Sequence, residues 1–140
     1  MSSFVVDASV VVKWYVPEAH GDAALRLLDR DDVLCVPDLL FAEFGNILWK
    51  KVRGGELPTA EVGAIVEALH VVPFDVHPSS ALLAAALALA LDNDRTVYDC
   101  IYLALAVALD CQLVTADMRL VRALEGTPLS QHAVLVEHLS

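Results

Sequence analysis

The sequence lacks an apolar run long enough to cross a membrane, although 57% of its 140 residues are hydrophobic. Its longest uninterrupted apolar stretch runs from Ala81 to Leu91 and ends at Asp92, whereas a membrane-spanning helix needs about 20 residues. The first residues contain neither a basic region nor a long hydrophobic region of the kind that forms a secretory signal. We therefore expect a cytoplasmic protein whose apolar residues form the core of one domain over residues 1–140.

Cysteine is scarce, and its spacing indicates neither a disulfide framework nor a zinc site. Cys35, Cys100 and Cys111 are odd in number, and no two of them form a Cys-x-x-Cys motif. The five histidines do not show the spacing of zinc ligands either. We expect three free thiols in a reducing compartment.

Positive charge is also in short supply. Nine Lys and Arg residues stand against nineteen Asp and Glu residues, and the formal net charge at pH 7 is −10. A protein that binds nucleic acid through phosphates usually carries a basic surface. Charge alone therefore does not indicate a nucleic-acid partner, although bound cations could reverse the sign of a local acidic site.

Short apolar runs with strand composition alternate with segments that have helical spacing. Strands are predicted at 4–6, 33–36, 71–76, 112–114 and 133–136, and helices at 8–15, 20–30, 38–52, 59–70, 79–91, 97–109 and 118–124. This alternation predicts an α/β fold with a parallel sheet covered on both faces. Pro73 lies in the third strand segment and lacks the N–H that a central strand would use, so we expect that strand at an edge. Ser79 or Ser80 is expected to cap the helix that follows.

Two carboxylates fall within helical segments that are otherwise apolar. Glu43 lies in the segment Leu39–Phe44, and Asp99 lies in the segment Val97–Leu105. An ionised carboxylate in a buried helix is costly unless it is paired or holds a metal. The alternative for each is an acid in the first turn, or on the surface, of a mostly hydrophobic helix.

Two further acids follow predicted strands. Asp7 and Asp117 stand directly after the first strand and after the strand from Gln112, and each could be a helix N-cap. Ligands of an open α/β sheet bind beyond the carboxyl ends of the strands where strand order reverses, and these two strands are expected to flank that point. The two strand ends and the two helices would then form one acidic pocket, whose oxygen ligands suit Mg²⁺ or Mn²⁺ and a phosphate substrate.

Two hydroxyl side chains lie close to these acids in sequence. Ser9 is two residues after Asp7, and Thr115 is two residues before Asp117. They could add ligands or hydrogen bonds that orient the metal ligands, or they could be ordinary capping hydroxyls.

Polar and basic residues continue along the helix that carries Glu43. Asn46 and Lys50 lie three and seven residues after it, on the same helical face, where they could contact a phosphate backbone. Lys50, Lys51 and Arg53 form the densest cationic cluster of the chain. The cluster is a possible RNA contact, or it simply places favourable charge at a helix C-terminus.

Other chemistries that use acids or serine at strand ends lack residues that they require. A receiver domain needs adjacent acids after its first strand and a late lysine, but Asp7 stands alone and no Lys follows Lys51. A haloacid-dehalogenase-type phosphatase needs a second Asp two residues after the first, where this chain has Ser9. No Gly-x-Ser-x-Gly motif indicates a serine hydrolase.

Four segments together resemble the PIN-domain family, and specifically the VapC-type toxins of toxin–antitoxin pairs. The segments are Val5–Ser9 with Lys13-Trp14 and Pro17-Glu18, Val36–Glu43 with Asn46, Thr96–Ala104, and Leu113–Asp117. Their order and spacing are kept from residue 5 to about residue 125. The resemblance implies a three-layer α/β/α fold with a five-stranded parallel sheet.

The resemblance also implies an activity and partners. It implies a Mg²⁺- or Mn²⁺-dependent endoribonuclease that acts as a toxin, with Ser9 and Thr115 beside an acidic site formed by Asp7, Glu43, Asp99 and Asp117. It further implies a homodimer, an RNA substrate and a small cognate antitoxin that blocks the groove. Asp92 or Asp94 could extend the site or lie in a solvated loop. The alternative function is a catalytically silent PIN-like domain that only binds RNA or protein.

Overall fold

Five short runs of apolar and β-branched residues form strands in the computed structural model, which describes residues 2–140. The strands are β1 (Ser3–Val6), β2 (Val33–Pro37), β3 (Asp75–His77), β4 (Gln112–Thr115) and β5 (Ala133–Leu135). Neighbouring strands are parallel throughout, and their order across the sheet is β3-β2-β1-β4-β5. Strand order therefore reverses between β1 and β4, and the predicted position of the reversal is confirmed.

Helices cover both faces of this sheet. Those of the described residues are α1 (Ala8–Val11), α2 (Gly21–Asp29), α3 (Leu39–Arg53), α4 (Thr59–His70), α5 (Ser79–Asn93), α6 (Val97–Ala108) and α7 (Met118–Leu124). Phe4 and Val6 of β1 face the core built with α1 to α4, whereas Val5 faces the core built with α5 to α7. This alternation along a doubly buried strand is typical of a covered parallel sheet. The predicted three-layer α/β/α fold with a five-stranded parallel sheet is confirmed.

The third strand differs from its prediction in length but not in position. It begins at Asp75, two residues after Pro73, rather than at Val71. The Phe74 N–H bonds to the Val72 carbonyl at 2.8 Å, a tight turn that separates Pro73 from the ladder. β3 lies at the sheet edge, as the proline indicates.

The end of α1 and the cap of α5 also differ from the predictions. α1 stops at Val11 and continues as a 3₁₀-helix over Val12–Trp14, because successive β-branched valines are poor helix formers. Neither Ser79 nor Ser80 caps α5, whose N-cap is Pro78. The Asp38 carboxylate instead accepts the Ser79 N–H at 2.9 Å and the Ser79 hydroxyl at 2.5 Å.

None of the helices within residues 2–140 has the length and apolar content that a membrane span requires. The very apolar α5 has only fifteen residues, and its buried face packs on α6.

Candidate active site

The acids at the two central strand ends are helix caps as well as cleft residues. Asp7 Oδ1 accepts the N–H groups of Ser9 at 3.1 Å and Val10 at 3.3 Å at the start of α1. Asp117 Oδ1 accepts the N–H groups of Arg119 at 3.0 Å and Leu120 at 3.2 Å at the start of α7. Both caps use Oδ1, so the Oδ2 atom of each carboxylate is left to face another group. The capping interpretation is correct and does not compete with a site role.

The two helical acids approach the same place from α3 and α6. Glu43 Oε1 accepts a 2.6 Å hydrogen bond from the Tyr102 hydroxyl. Asp99 lies in the first turn of α6, with its N–H bonded to the Thr96 hydroxyl at 3.1 Å, so the first-turn alternative describes its position correctly. Asp99 Oδ2 lies 3.1 Å from Arg95 Nη2.

These acids line one cleft of about 280 Å³ at the carboxyl ends of β1 and β4. The polar residues of the cleft wall are Asp7, Ser9, Glu43, Asn46, Lys50, Asp99, Tyr102 and Asp117. The structure therefore brings together the four predicted acids with Ser9, Asn46 and Lys50.

The remaining predicted site residues lie outside the cleft wall. The Lys51 ammonium pairs with Glu18 and with Glu56 at 3.2 Å, and the Arg53 guanidinium stacks on Trp49 at 5.0 Å. All three cations of the Lys50 cluster lie in the last turn of α3. Favourable charge at a helix C-terminus therefore explains Lys51 and Arg53, which do not line the cleft.

The two acidic loop candidates, Asp92 and Asp94, are both exposed and do not line the cleft. Asp94 is the left-handed C-cap of α5, with a φ of 51°. Thr115 is fully buried, where its hydroxyl accepts the Asp117 N–H at 3.1 Å.

Ser9 ties the two central strand ends together. Its hydroxyl donates to Asp7 Oδ1 and accepts the Ala116 N–H at 3.1 Å. Because Ala116 directly precedes Asp117, this bridge sets the spacing between the acid after β1 and the acid after β4.

Burial, together with neighbouring carboxylates, disfavours the ionised forms of Asp7 and Glu43. Burial raises the pKa of Asp7 to about 6, against hydrogen bonds from Ser9, Thr115 and Val10. Burial and the nearby Asp99 charge also raise the pKa of Glu43, which the Tyr102 hydrogen bond opposes. Such a cleft favours a bound cation, because a cation relieves both the desolvation and the mutual repulsion.

The donors of the cleft are carboxylate and hydroxyl oxygens, the hard ligands that Mg²⁺ and Mn²⁺ prefer. This donor set therefore fits a divalent ion.

A separate group of possible metal ligands lies on β2 and β3. Within residues 2–140, Cys35, Asp75 and His77 form the one group of three such side chains whose ligand atoms all lie within 4.8 Å of one another. It lies outside the cleft, and sequence spacing did not indicate it.

Sequence reasoning missed two residues of this region, Tyr102 and Arg95. The sequence pattern places Tyr102 in an apolar helix, and the available signal was its position three residues after Asp99 on the same helical face. Arg95 is the one Lys or Arg between Arg53 and Arg119. That isolation, four residues before a helical acid, was the available signal.

The PIN domain family matches residues 4–125 of this chain. The chain is 38% identical to "Ribonuclease VapC3" of Pyrobaculum aerophilum over 118 residues, which cover 83% of this chain and 90% of that protein. It is 34% identical to "Ribonuclease VapC1" of Mycobacterium tuberculosis over 123 residues, which cover 88% and 92% of the two chains.

Two solved structures are similar in fold. The crystal structure of PAE2754 from Pyrobaculum aerophilum aligns with a TM-score of 0.72 and 27% identity, over 97% of this chain and 85% of that one. A toxin–antitoxin complex from Klebsiella pneumoniae aligns with a TM-score of 0.57 and 17% identity, over 97% and 98% of the two chains, and shows the fold alone. With the family match, the extended relatives and the parallel sheet in agreement, the predicted family is confirmed: the chain belongs to the PIN domain family.

Proposed function

We propose that this protein is an endoribonuclease that needs Mg²⁺ or Mn²⁺ and hydrolyses RNA phosphodiester bonds with an activated water. The observation that carries the proposal is the convergence of four carboxylates from two strand ends and two helices on one cleft. The relatives named as VapC ribonucleases support the same reaction class.

Asp7, Glu43, Asp99 and Asp117 would hold the ion, because they supply the oxygen donors of the cleft. A bound divalent ion supplies Lewis acidity to water and to the phosphate that it attacks. Ligands must be deprotonated to bind a metal, so the raised pKa values of Asp7 and Glu43 make proton release part of ion binding.

The other residues of the cleft position the acids and the substrate. Tyr102 orients Glu43 by its hydrogen bond, and burial beside Glu43 holds the pKa of the Tyr102 hydroxyl far above its usual range. The hydroxyl therefore keeps its proton and remains a donor. Lys50 and Asn46 lie on the same wall as Glu43, where the ammonium and the amide can bind the phosphate backbone.

The toxin role and the cognate antitoxin rest on the family resemblance, and so does the homodimer.

One surface feature supports the homodimer. Leu83, Leu87 and Leu91 recur every four residues on α5 and are 52%, 46% and 77% exposed, and Tyr98 beyond them is 62% exposed. An apolar strip of this kind is typical of a protein interface. The molar mass measured by light scattering should be that of a dimer, and Leu87→Glu should shift it toward the monomer.

The silent-domain alternative is favoured by one observation. The Arg95 guanidinium already pairs with Asp99 and lies 3.9 Å from Asp117, so a side chain supplies part of the charge that an ion would bring. Manganese separates the two functions, because a ligand that binds only the folded state raises its stability. A nuclease site should gain thermal stability with Mn²⁺, and a silent site should not.

Cleavage of labelled RNA tests the proposal directly. The purified protein is incubated with structured transfer, ribosomal and messenger RNA fragments in Mn²⁺ and in EDTA. Internal cuts in Mn²⁺ that EDTA abolishes are the expected result. Cutting that continues in EDTA would contradict metal-dependent hydrolysis by this cleft.

A further inference from the structure

Arg95 is a cation placed between two of the four cleft acids. It stands in the turn between α5 and α6, and its Nη2 atom lies 3.1 Å from Asp99 Oδ2 and 3.9 Å from Asp117 Oδ2. The side chain is only 23% exposed. Two carboxylates that would ligate a divalent ion thus share one guanidinium instead.

The guanidinium is incompletely satisfied in this position. Arg95 Nε is buried and has no hydrogen-bond partner, although buried polar groups are nearly always paired. Both carboxylates are approached by the same Nη2 atom, so the parallel two-bond geometry that makes Arg–carboxylate pairs strong is not used. The arrangement neutralises charge without the full set of hydrogen bonds that a structural arginine makes.

Helix stability does not explain the pair. Asp99 lies in the first turn of α6, where the helix dipole already stabilises a negative charge. A cation beside that turn opposes the same dipole. The contact is therefore better explained by the charge of the cleft than by the stability of α6.

We propose that Arg95 is the internal counter-ion of the cleft, and this inference rests on the proposed metal-dependent nuclease. Arg95 holds Asp99 and Asp117 while no divalent ion is bound, and it competes with the ion for them. If a divalent ion took these carboxylates, the guanidinium would be released to pair with an RNA phosphate, a group that its planar fork of N–H donors matches.

The backbone around Arg95 permits this motion of the side chain alone. The Arg95 N–H bonds to the Ala90 carbonyl at 3.3 Å, and Thr96 caps α6 directly after it. The Cα atom of Arg95 is therefore held between two helix ends, so a change of partner requires movement of the side chain and not of the backbone.

As a competitor of the ion and as a phosphate ligand, Arg95 should affect Mn²⁺ affinity and RNA cleavage in opposite directions. Arg95→Gln removes the competitor, so Mn²⁺ should bind more tightly in calorimetric titrations without RNA. The expected gain is roughly tenfold, a typical coupling between two linked binding events. The same variant loses the phosphate contact, so RNA cleavage at saturating Mn²⁺ should fall. Arg95→Lys keeps the charge but not the fork, and its Mn²⁺ affinity should stay near that of the wild type.

Arg122→Gln is the matched control, because it removes one positive charge from an exposed position of α7 outside the cleft. Its Mn²⁺ affinity and cleavage should equal those of the wild type. Metal-free thermal unfolding shows that each variant is folded before titration. If Arg95→Gln does not fold, Arg95→Met supplies a neutral side chain of similar length for the same titration.

The outcomes separate this inference from the proposed function. If the wild type binds Mn²⁺ and cuts RNA but the neutral Arg95 variant binds Mn²⁺ no more tightly, the counter-ion role is overturned and the nuclease stands. If the wild type binds no Mn²⁺ and the neutral variant does, the counter-ion role is supported and the wild-type chain is the silent form. If neither binds Mn²⁺, both proposals are overturned.

Discussion

Tyr102 and Glu43 connect α6 to α3 through a 2.6 Å hydrogen bond from the phenol to Oε1. Tyr102 is 3% exposed, so this bond lies at the base of the cleft rather than at its rim. The bond fixes the Glu43 carboxylate to α6, the helix that also carries Asp99.

Tyr102→Phe should lower both stability and cleavage. A buried hydrogen bond to a charged acceptor contributes about 1.5–3 kcal/mol, and its loss leaves Glu43 without its donor. Chemical denaturation measures the first effect, and RNA cleavage at saturating Mn²⁺ measures the second. Tyr98→Phe is the control, because Tyr98 is 62% exposed and should tolerate loss of its hydroxyl. Equal behaviour of the two variants would show that the Tyr102 contact does not organise the site.

Asp7 should make the metal-free protein less stable as pH rises. Its pKa is about 6 in the folded chain against an ordinary value of 3.8, so the folded state binds more protons between those pH values. Because the folded state is the better proton acceptor there, the free energy of unfolding decreases as pH increases through this window. This stability penalty of the ionised Asp7 carboxylate is complete above pH 6 and absent below about pH 4.

Asp7→Asn should remove that penalty, because Asn does not titrate and its Oδ1 atom can still cap α1. In EDTA at pH 7 the variant should exceed the wild type by about 1–3 kcal/mol, and the difference should vanish near pH 4. Denaturant unfolding over this pH range is the measurement. Asp92→Asn, at an exposed position, should show no such pH-dependent difference. A variant that is less stable than the wild type at pH 7 would contradict the raised pKa.

Lys50 and Arg53 should differ in their effect on RNA binding, although both are exposed residues of the same helix end. Lys50 lines the cleft, whereas Arg53 stacks on Trp49. On an Asp99→Asn background that prevents cutting, Lys50→Ala should weaken binding and reduce the salt slope by about 1. Fluorescence anisotropy over a salt series measures both quantities. If Arg53→Ala has the same effect, the phosphate path extends beyond the cleft wall.

The strands and the position of the acids were predictable because their signals are local. The run Phe4–Val6 followed by Asp7, and the run ending before Asp117, show both a buried strand and its cap within a few residues. The reversal of strand order then followed from the edge position that Pro73 requires. The exact start of β3 was not predictable, because Val71 and Val72 have strand composition but form a turn before the proline.

Contacts between distant segments were not visible in the sequence. The Tyr102–Glu43 bond joins residues 59 positions apart, and the Asp38–Ser79 hydrogen bond joins residues 41 positions apart. In sequence, Lys51 and Arg53 cannot be distinguished from Lys50 as possible phosphate ligands. The structure distinguishes them, because Lys51 pairs with Glu18 and Arg53 stacks on Trp49. Pattern alone therefore predicted the acids and their neighbours Ser9 and Thr115, but not the contacts of Arg95 and Tyr102, which come from a turn and a distant helix face.

The central claim is that the four-acid cleft cuts RNA, and the most direct measurement is cleavage of one labelled structured RNA by four proteins side by side. These are the wild type, Asp7→Asn, Asp99→Asn and the control Asp92→Asn, each assayed in Mn²⁺ and in EDTA. The wild type and Asp92→Asn should cut in Mn²⁺ alone. Asp7→Asn and Asp99→Asn should stay folded and lose roughly 100-fold or more of the rate, as when a group acting in the transition state is removed. Equal cutting by all four proteins would contradict the claim and place the activity elsewhere.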